Sequence, residues 1–282
     1  MASSDRVRVK GLDIHRPIIY GNTAWVLTQK EREALPTPDH THRWTVAVRS
    51  ATSAPDSDIV GGADDLSHFI KRVTFKLHDT YTNPNRTVDK PPFEVSETGY
   101  VAFCLVAEYA RLTARFFAYS WGEFEITIRI MFVQESGEKS ITFYHHLKLH
   151  PWTAPGSGEP EIPPLDVAAK MGPVHSWQYD EIVFHEPYQA FLNILTAHPP
   201  KPLPKTKRRP VPFHTANPGS LEASKGGVPE FTQEMEKEEA ERLEAARVQL
   251  AKEYQRLQLQ VLQKEAELSQ VKKEIESATQ VS

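Results

Sequence analysis

Residues 124–132 read Phe-Glu-Ile-Thr-Ile-Arg-Ile-Met-Phe, with an apolar side chain at every second position. Because successive side chains of a β-strand point to opposite faces, this period of two predicts a strand with one buried face. The same alternation recurs at residues 44–48, 73–77, 140–149 and 177–184. The chain between about residue 6 and residue 184 is therefore predicted to form many short strands.

Turn-forming residues separate the predicted strands, among them Asn83-Pro84-Asn85 and Ser136-Gly137. Short alternating strands divided by such turns are typical of an antiparallel β-sandwich. No amphipathic pattern of helix length interrupts them, which disfavours an α/β fold. We predict an all-β sandwich over residues 1–190.

The composition narrows the class of protein. Thirty-three Lys and Arg against 37 Asp and Glu leave a formal charge of −4, so there is no global basic field that would favour nucleic acid. The single cysteine, Cys104, excludes an internal disulfide and fits a reducing compartment. The first residues lack the apolar core of a signal peptide, and no apolar run approaches the roughly 20 residues of a membrane span. We expect an intracellular protein that does not cross a membrane.

Residues 191–229 are rich in Pro, Lys, Ser and Gly, a composition that buries too little apolar surface to order itself and predicts a flexible linker. Lys205-Thr206-Lys207-Arg208-Arg209 forms a basic cluster within it. That cluster fits a nuclear-import signal or a phosphate contact, and fits a solvated linker equally well. Direct DNA contact through residues 205–209 is expected to be weak at most.

The C-terminal segment, residues 230–278, changes to a period of three and a half. Ten positions from residue 243 to residue 275 are spaced alternately four and three apart. Eight of them are apolar: Leu243, Leu250, Tyr254, Leu257, Val261, Leu268, Val271 and Ile275. This heptad spacing predicts a coiled-coil helix whose apolar seam requires a partner helix. The sequence leaves open whether that partner is another subunit or a second copy of the chain, and the long linker disfavours folding back on the sandwich.

One motif after the strand at 73–77 is more specific than any periodicity. Lys76-Leu77-His78-Asp79-Thr80-Tyr81 is followed by Pro84, by Pro91-Pro92-Phe93-Glu94-Val95 and by Glu97-Thr98-Gly99. Together these residues resemble the signature of the YEATS domain family. Similar motifs lie at residues 16–24, 40–46, 121–124, 144–151 and 177–184. The resemblance covers about residues 6–187.

The resemblance implies an immunoglobulin-like sandwich whose end loops bind acetyl-lysine or longer acyl-lysines, such as crotonyl-lysine, of histone tails. Acylation removes the lysine charge and leaves a flat amide that aromatic rings stack and nearby polar groups bind. By position in the motifs, the expected binding residues are His40, His78, Thr80, Tyr81, Trp121, Gly122 and Phe124. His78 and Thr80 are expected to bind the amide by hydrogen bonds, and Tyr81 and Trp121 to sandwich it. His40 and Phe124 complete the walls, and the backbone of residues 121 and 122 meets the acyl carbonyl. Thr80 stands where the family often has Ser, a change that we expect to be tolerated.

The resemblance is to the fungal branch of the family that carries a C-terminal coiled coil. That branch is similar to the subunit shared by a histone-variant-exchange remodeller and a histone acetyltransferase complex. It implies a nuclear, non-catalytic subunit that regulates transcription and supports DNA repair, with acylated histone tails and other subunits as partners and no cofactor. The alternative is a scaffold of the same complexes without a functional acyl-lysine pocket.

Metal sites and catalysis are disfavoured. No recognised spacing adds a third ligand to the clustered histidines, so no metal is expected. These histidines are His40, His42, His145, His146 and His150. The sequence has no Gly-rich phosphate loop, nucleophile elbow or paired-carboxylate motif, and consecutive side chains at residues 78–80 face opposite ways on an extended chain. We do not expect an enzyme.

The resemblance breaks inside the expected pocket. The family motif runs Glu-Thr-Gly-Trp-Gly-Glu-Phe without a gap, whereas residues 100–120 separate Gly99 from Trp121 here. Codons for residues 99–101 can contain GTATGT, a typical start of a fungal intron. Codons for residues 112–113 can contain a branch-point sequence, and codons for residues 119–120 can contain the end of an intron. We therefore hypothesise that residues 100–120 are a retained intron. The alternative is a genuine extra hairpin, with residues 100–106 as a strand.

Overall fold

The computed structural model describes residues 7–36, 40–99, 122–150, 163–206, 208 and 229–280. The chain divides into two compact units, with the boundary between Thr232 and Gln233. Residues 100–120, the predicted insertion, lie outside the described residues, as does Trp121.

The described part of the first unit contains eight strands in two antiparallel four-stranded sheets. One sheet has the order β5-β2-β1-β8, and its strands are β1 (Asp13–Val26), β2 (His42–Ser50), β5 (Phe93–Gly99) and β8 (Val174–His185). The other has the order β4-β3-β6-β7, with β3 (Ile70–Lys76), β4 (Asn85–Val88), β6 (Glu125–Phe132) and β7 (Ile141–His146). The prediction of an antiparallel β-sandwich is confirmed.

The core lies between the sheets and follows the period of two. On β6, Ile126, Ile128 and Ile130 are fully buried, whereas Glu125 and Arg129 are exposed. Because burial of one aliphatic side chain contributes about 2 kcal/mol, shifting the strand by one residue would lose several such contributions at once. The alternation therefore determines which face of β6 meets the other sheet.

A buried polar group also ties the two sheets together. Asn22 of β1 is fully buried, and its amide nitrogen donates to the carbonyl oxygen of Lys148 at 2.7 Å. Its amide oxygen accepts from the backbone N–H of Lys148 at 3.0 Å and lies 2.8 Å from Nε2 of His145. The segment that follows β7 is therefore anchored to the opposite sheet.

Among the described residues of this unit, three short α-helices accompany the strands: α1 (Gln29–Glu33), α2 (Leu165–Met171) and α3 (Gln189–Ala197). In α3, the side chains of Phe191 and Leu195 are fully buried in the sandwich core. The prediction that a flexible linker begins at residue 191 is wrong at this point. The spacing of four between these two apolar residues places both on one helix face. The linker prediction rests on the composition of the whole segment, in which the prolines after α3 dominate.

The chain after α3 packs on the sandwich as a strap, by which we mean residues 201–206, 208 and 229–232. Leu203 and Phe231 are buried, and the ring of Phe231 lies 5.6 Å from that of Tyr179 on β8. Arg208 donates to the carboxylate of Glu230, through Nε at 2.7 Å, and to the carbonyl oxygen of Ser53 at 2.9 Å. The linker prediction is therefore also wrong for the strap, and residues 209–228 lie outside the described residues.

The second unit contains helix α4 (Gln233–Gln280), of 48 residues. The helical prediction is confirmed. Seven of the eight predicted seam residues, all but Ile275, have described side chains, and those side chains are between 48% and 71% exposed. Nothing within the described part of this unit covers them, so the seam remains available to a partner helix. The described residues include no helix that is both long and apolar enough to cross a bilayer.

Candidate functional site

Aromatic side chains from three separate segments meet at one end of the sandwich. The Tyr81 ring, from the β3–β4 loop, lies 6.0 Å from the Trp44 ring on β2 and 5.7 Å from the Phe124 ring. Phe124 immediately precedes β6 and lies 6.1 Å from Trp44 and 5.8 Å from His78. The pairing of β3 with β6 brings these segments together. We call Trp44, His78, Tyr81 and Phe124 the aromatic cluster.

The β3–β4 loop is closed by backbone hydrogen bonds that fix the position of Tyr81. The N–H of Leu77 donates to the carbonyl of Pro84 at 2.9 Å, and the N–H of Tyr81 donates to the carbonyl of His78 at 3.0 Å. Within this loop, His78 Nδ1 lies 3.0 Å from Thr80 Oγ1, and both side chains are exposed. The two predicted hydrogen-bonding residues are therefore paired with each other at the open side of the cluster.

His40 lies at the rim, just before β2 begins and beside the end of β5. Its Nδ1 is 2.6 Å from Thr98 Oγ1, and the Tyr81 hydroxyl donates to the Thr98 carbonyl at 3.4 Å. The N–H of Thr41 donates to the carbonyl of Gly99 at 2.9 Å, which continues the strand pairing. Thr98 thus connects His40 with the aromatic cluster.

Gly99 packs against the cluster. A Cβ atom on Gly99 would lie 3.1 Å from the Tyr81 hydroxyl and 3.5 Å from Trp44 Nε1. The indole N–H of Trp44 is buried and has no hydrogen-bond partner among the described residues. Gly122 has a φ of 124°, a conformation that favours glycine.

The carboxylate of Glu123 binds the segment after β7. It accepts from the backbone N–H groups of Leu149 at 2.8 Å and His150 at 3.2 Å. Lys148 Nζ donates to it at 2.9 Å. Glu97 of β5 is bound by Arg86 at 2.6 Å, so Glu97 and Glu123 both have basic partners.

Two imidazole rings lie behind this segment. The rings of His42 and His150 meet edge to face at 5.1 Å. Burial lowers the pKa of His42 to about 4 and also lowers the pKa of His150. Both rings are therefore neutral near pH 7. Aromatic rings with adjacent hydrogen-bonding groups suit an uncharged planar amide.

The structure brings together six of the seven residues expected at the site, namely His40, His78, Thr80, Tyr81, Gly122 and Phe124, and Trp121 lies outside the described residues. Sequence reasoning did not assign Trp44, Thr98 or Glu123 to the site. Trp44 belongs to the predicted strand at residues 44–48, and its alternation with Val46 and Val48 places it on the inner face. Thr98 and Glu123 stood within the quoted motifs, but their partners are distant in sequence.

Among the residues that the structure describes, no group of three or more His, Cys, Asp or Glu is arranged to hold a metal ion. His40 and His42 have different hydrogen-bond partners, since His40 contacts Thr98 and His42 contacts Thr41. His145 is engaged by Asn22. The spatial arrangement of these histidines is that of local hydrogen-bonding groups.

Comparison with known proteins agrees with the sequence motifs. The model of the YEATS family matches residues 39–111 and 117–151. A protein AF-9 homolog of Cryptococcus neoformans is 31% identical over 98% of this chain and 99% of its own length. That of Candida glabrata is 42% identical over 73% of this chain and 80% of its own length. A crystal structure of the Yaf9 YEATS domain bound to H3K27ac is 39% identical, covers 68% of this chain and 99% of that chain, and superimposes with a TM-score of 0.47.

Proposed function

Because this chain belongs to the YEATS family, we propose that it is a non-catalytic reader of acylated lysines on histone tails. The observation that carries the proposal is the aromatic cluster, in which Tyr81 and Phe124 approach each other from loops that are distant in the sequence. Exposed polar groups of His78 and Thr80 border it. Rings with adjacent donors and acceptors match a planar, neutral amide.

Each predicted residue has a role in this proposal. Tyr81 stacks on one face of the acyl amide and Trp121 on the other. His78 and Thr80 exchange their mutual hydrogen bond for bonds to the amide. His40 and Phe124 form the walls, and the backbone N–H groups of residues 121 and 122 bind the acyl carbonyl oxygen.

The test is a calorimetric titration of the full chain with an H3K27ac peptide, the same peptide crotonylated instead of acetylated, and the same peptide unmodified. We expect the two acylated peptides to bind and the unmodified peptide not to bind. Tyr81→Ala should weaken binding at least about tenfold, which corresponds to about 1.4 kcal/mol for one stacked ring. The matched control is Tyr144→Ala, because Tyr144 is 61% exposed on β7 and lies outside the cluster. Equal affinities for acylated and unmodified peptides, both in the full chain and in the protein without residues 100–120, would refute the reader function.

Helix α4 is the proposed attachment to other subunits of nuclear chromatin-remodelling and histone acetyltransferase complexes. Its support is the exposed seam, in which Leu250 and Leu257 are 71% and 48% exposed. The double variant Leu250→Asp, Leu257→Asp should detach the protein from its complexes in affinity purification, because it places charges in the seam. Leu259→Asp is the control, since Leu259 is 67% exposed but lies off the seam. If the seam variant remains associated, α4 is not the attachment.

A scaffold role for the sandwich is the competing function. It predicts that Tyr81→Ala leaves acyl-peptide binding unchanged while the complexes still assemble. The reader function predicts loss of peptide binding with intact assembly, because the cluster and the seam belong to different units. Arg208 is already bound by Glu230, which supports only a weak contact of residues 205–209 with DNA.

We further propose that residues 100–120 are a retained intron. The support is their position, because Gly99 and Gly122 flank residues 100–121 and Gly99 packs on the cluster. Sequencing of the spliced transcript tests this directly, and a predominant message that contains these codons would refute it. A protein without residues 100–120 should bind acylated peptide more tightly than the full chain. If both proteins fold and neither binds, the scaffold function is favoured.

A further inference from the structure

We infer that Glu123 is a positioning residue of the acyl-lysine pocket, which it orders by tethering the chain between Gly122 and Phe124 to the segment after β7. This inference rests on the proposed reader function. Glu123 contributes no ring and no predicted contact with the acyl group. Its effect is on the backbone of its two neighbours, both of which belong to the predicted site.

The tether consists of four hydrogen bonds. Three converge on the Glu123 carboxylate, from the N–H of Leu149 at 2.8 Å, the N–H of His150 at 3.2 Å and Lys148 Nζ at 2.9 Å. The fourth joins the N–H of Leu147 to the carbonyl of Phe124 at 2.8 Å. The Glu123 side chain is only 11% exposed, whereas that of Lys148 is 39% exposed. The two bonds from backbone N–H groups to the carboxylate are therefore shielded from water and are stronger than surface contacts.

The segment that receives the tether is itself rigid. The side-chain amide of Asn22 donates to the carbonyl oxygen of Lys148 at 2.7 Å and accepts from its N–H at 3.0 Å, and Asn22 is fully buried in the opposite sheet. The His150 ring packs edge to face on His42 of β2. Glu123 is therefore connected through residues 148–150 to β1 and β2, and through Phe124 to the aromatic cluster.

Gly122 is the residue that needs such a tether. Its φ of 124° lies where side chains other than hydrogen are strained. Glycine also samples more backbone conformations than any other residue, so an unrestrained Gly122 would present its N–H group in many directions. A carboxylate bound on the next residue removes this freedom before the ligand arrives. Preorganisation of this kind increases affinity because less ordering remains to be done on binding.

The test compares three substitutions in the full chain. Glu123→Gln keeps the size and one acceptor oxygen but loses the charge and the second acceptor. Lys148→Met removes only the partly exposed ammonium group. Glu125→Gln is the matched control, since Glu125 is exposed on β6 two residues away. The measurements are the dissociation constant for the acetylated H3 peptide well below the unfolding temperature, and the NMR order parameter of the Gly122 N–H without ligand.

We expect Glu123→Gln to weaken peptide binding about tenfold, mainly through faster dissociation, and to lower the Gly122 order parameter from about 0.85 to below about 0.6. Lys148→Met should change affinity less than about threefold, because partly exposed ion pairs contribute little. Glu125→Gln should match the parent protein in both measurements.

A folded Glu123→Gln protein with unchanged affinity and an unchanged Gly122 order parameter would overturn the inference. A loss of affinity that is fully explained by a smaller fraction of folded protein would also overturn the inference. If neither the parent protein nor the protein without residues 100–120 binds acylated peptide, the proposed function fails. The order parameter still decides in that case whether Glu123 restrains Gly122.

Discussion

Lowering the pH from 7.5 to 5.5 is expected to destabilise the sandwich by about 4 kcal/mol, through three histidines that the fold keeps neutral. His42, His145 and His175 are 1%, 2% and 2% exposed. Burial, the largest cause in each case, lowers their pKa from 6.5 to about 4. In the unfolded chain the same side chains regain a pKa of about 6.5.

The sign follows from proton binding. Above about pH 7.5 these histidines are almost entirely neutral in both states and hardly affect stability. Between pH 6.5 and pH 4 the unfolded chain takes up protons that the folded protein excludes, so stability falls as the pH falls. Each histidine contributes about 1.3 kcal/mol between pH 7.5 and 5.5, and three contribute about 4 kcal/mol, a large part of the roughly 5–15 kcal/mol typical of a domain.

Urea denaturation at both pH values, followed by tryptophan emission, measures this difference. The tryptophans are residues 25, 44, 121, 152 and 177, so the signal reports the first unit and not α4. His175→Asn should reduce the pH-dependent difference by about 1.3 kcal/mol. The control is His15→Asn, because His15 is exposed on β1. If the free energy of unfolding differs between pH 7.5 and pH 5.5 by less than the about 1.3 kcal/mol expected of one histidine, the argument is refuted.

Three further substitutions test other parts of the fold. Gly21→Ala should lower the free energy of unfolding, measured by thermal denaturation, by at least about 2 kcal/mol, because a Cβ there would lie 2.1 Å from the Ser176 carbonyl oxygen. Asn22→Ala should cost about 3 kcal/mol in urea denaturation, since it leaves buried polar groups of both sheets without partners. Arg208→Ala should release the strap by leaving Glu230 without its ion pair, which faster cleavage of the strap by chymotrypsin would reveal. Unchanged cleavage would show that the apolar contacts suffice.

The sandwich could be predicted because its strands carry a repeated local signal. On β6 the alternation extends over the whole strand, and burial of one face enforces it. Helix α3 could not be predicted with the same ease. Only Phe191 and Leu195 define its buried face over nine residues, and two apolar residues are too few for a clear helical period. The strap was missed because Leu203 and Phe231 are single anchors with no period at all.

The predicted site came from motif resemblance rather than from periodicity. Tyr81 and Phe124 lie 5.7 Å apart only because β3 pairs with β6, a long-range pairing that no local pattern encodes. Glu123 was overlooked for the same reason, since its partners follow β7. The role of Trp121 stays a prediction, because this residue lies outside the described part of the chain.

The strap has a consequence for how this chain tolerates changes of length. Arg208 and Glu230 are hydrogen-bonded, so the two ends of the intervening sequence are held together. Closing a loop costs entropy only as the logarithm of its length, and doubling it adds about 0.6 kcal/mol. Insertions or deletions between these residues can therefore accumulate at little energetic cost, while Phe231 keeps its place beside Tyr179.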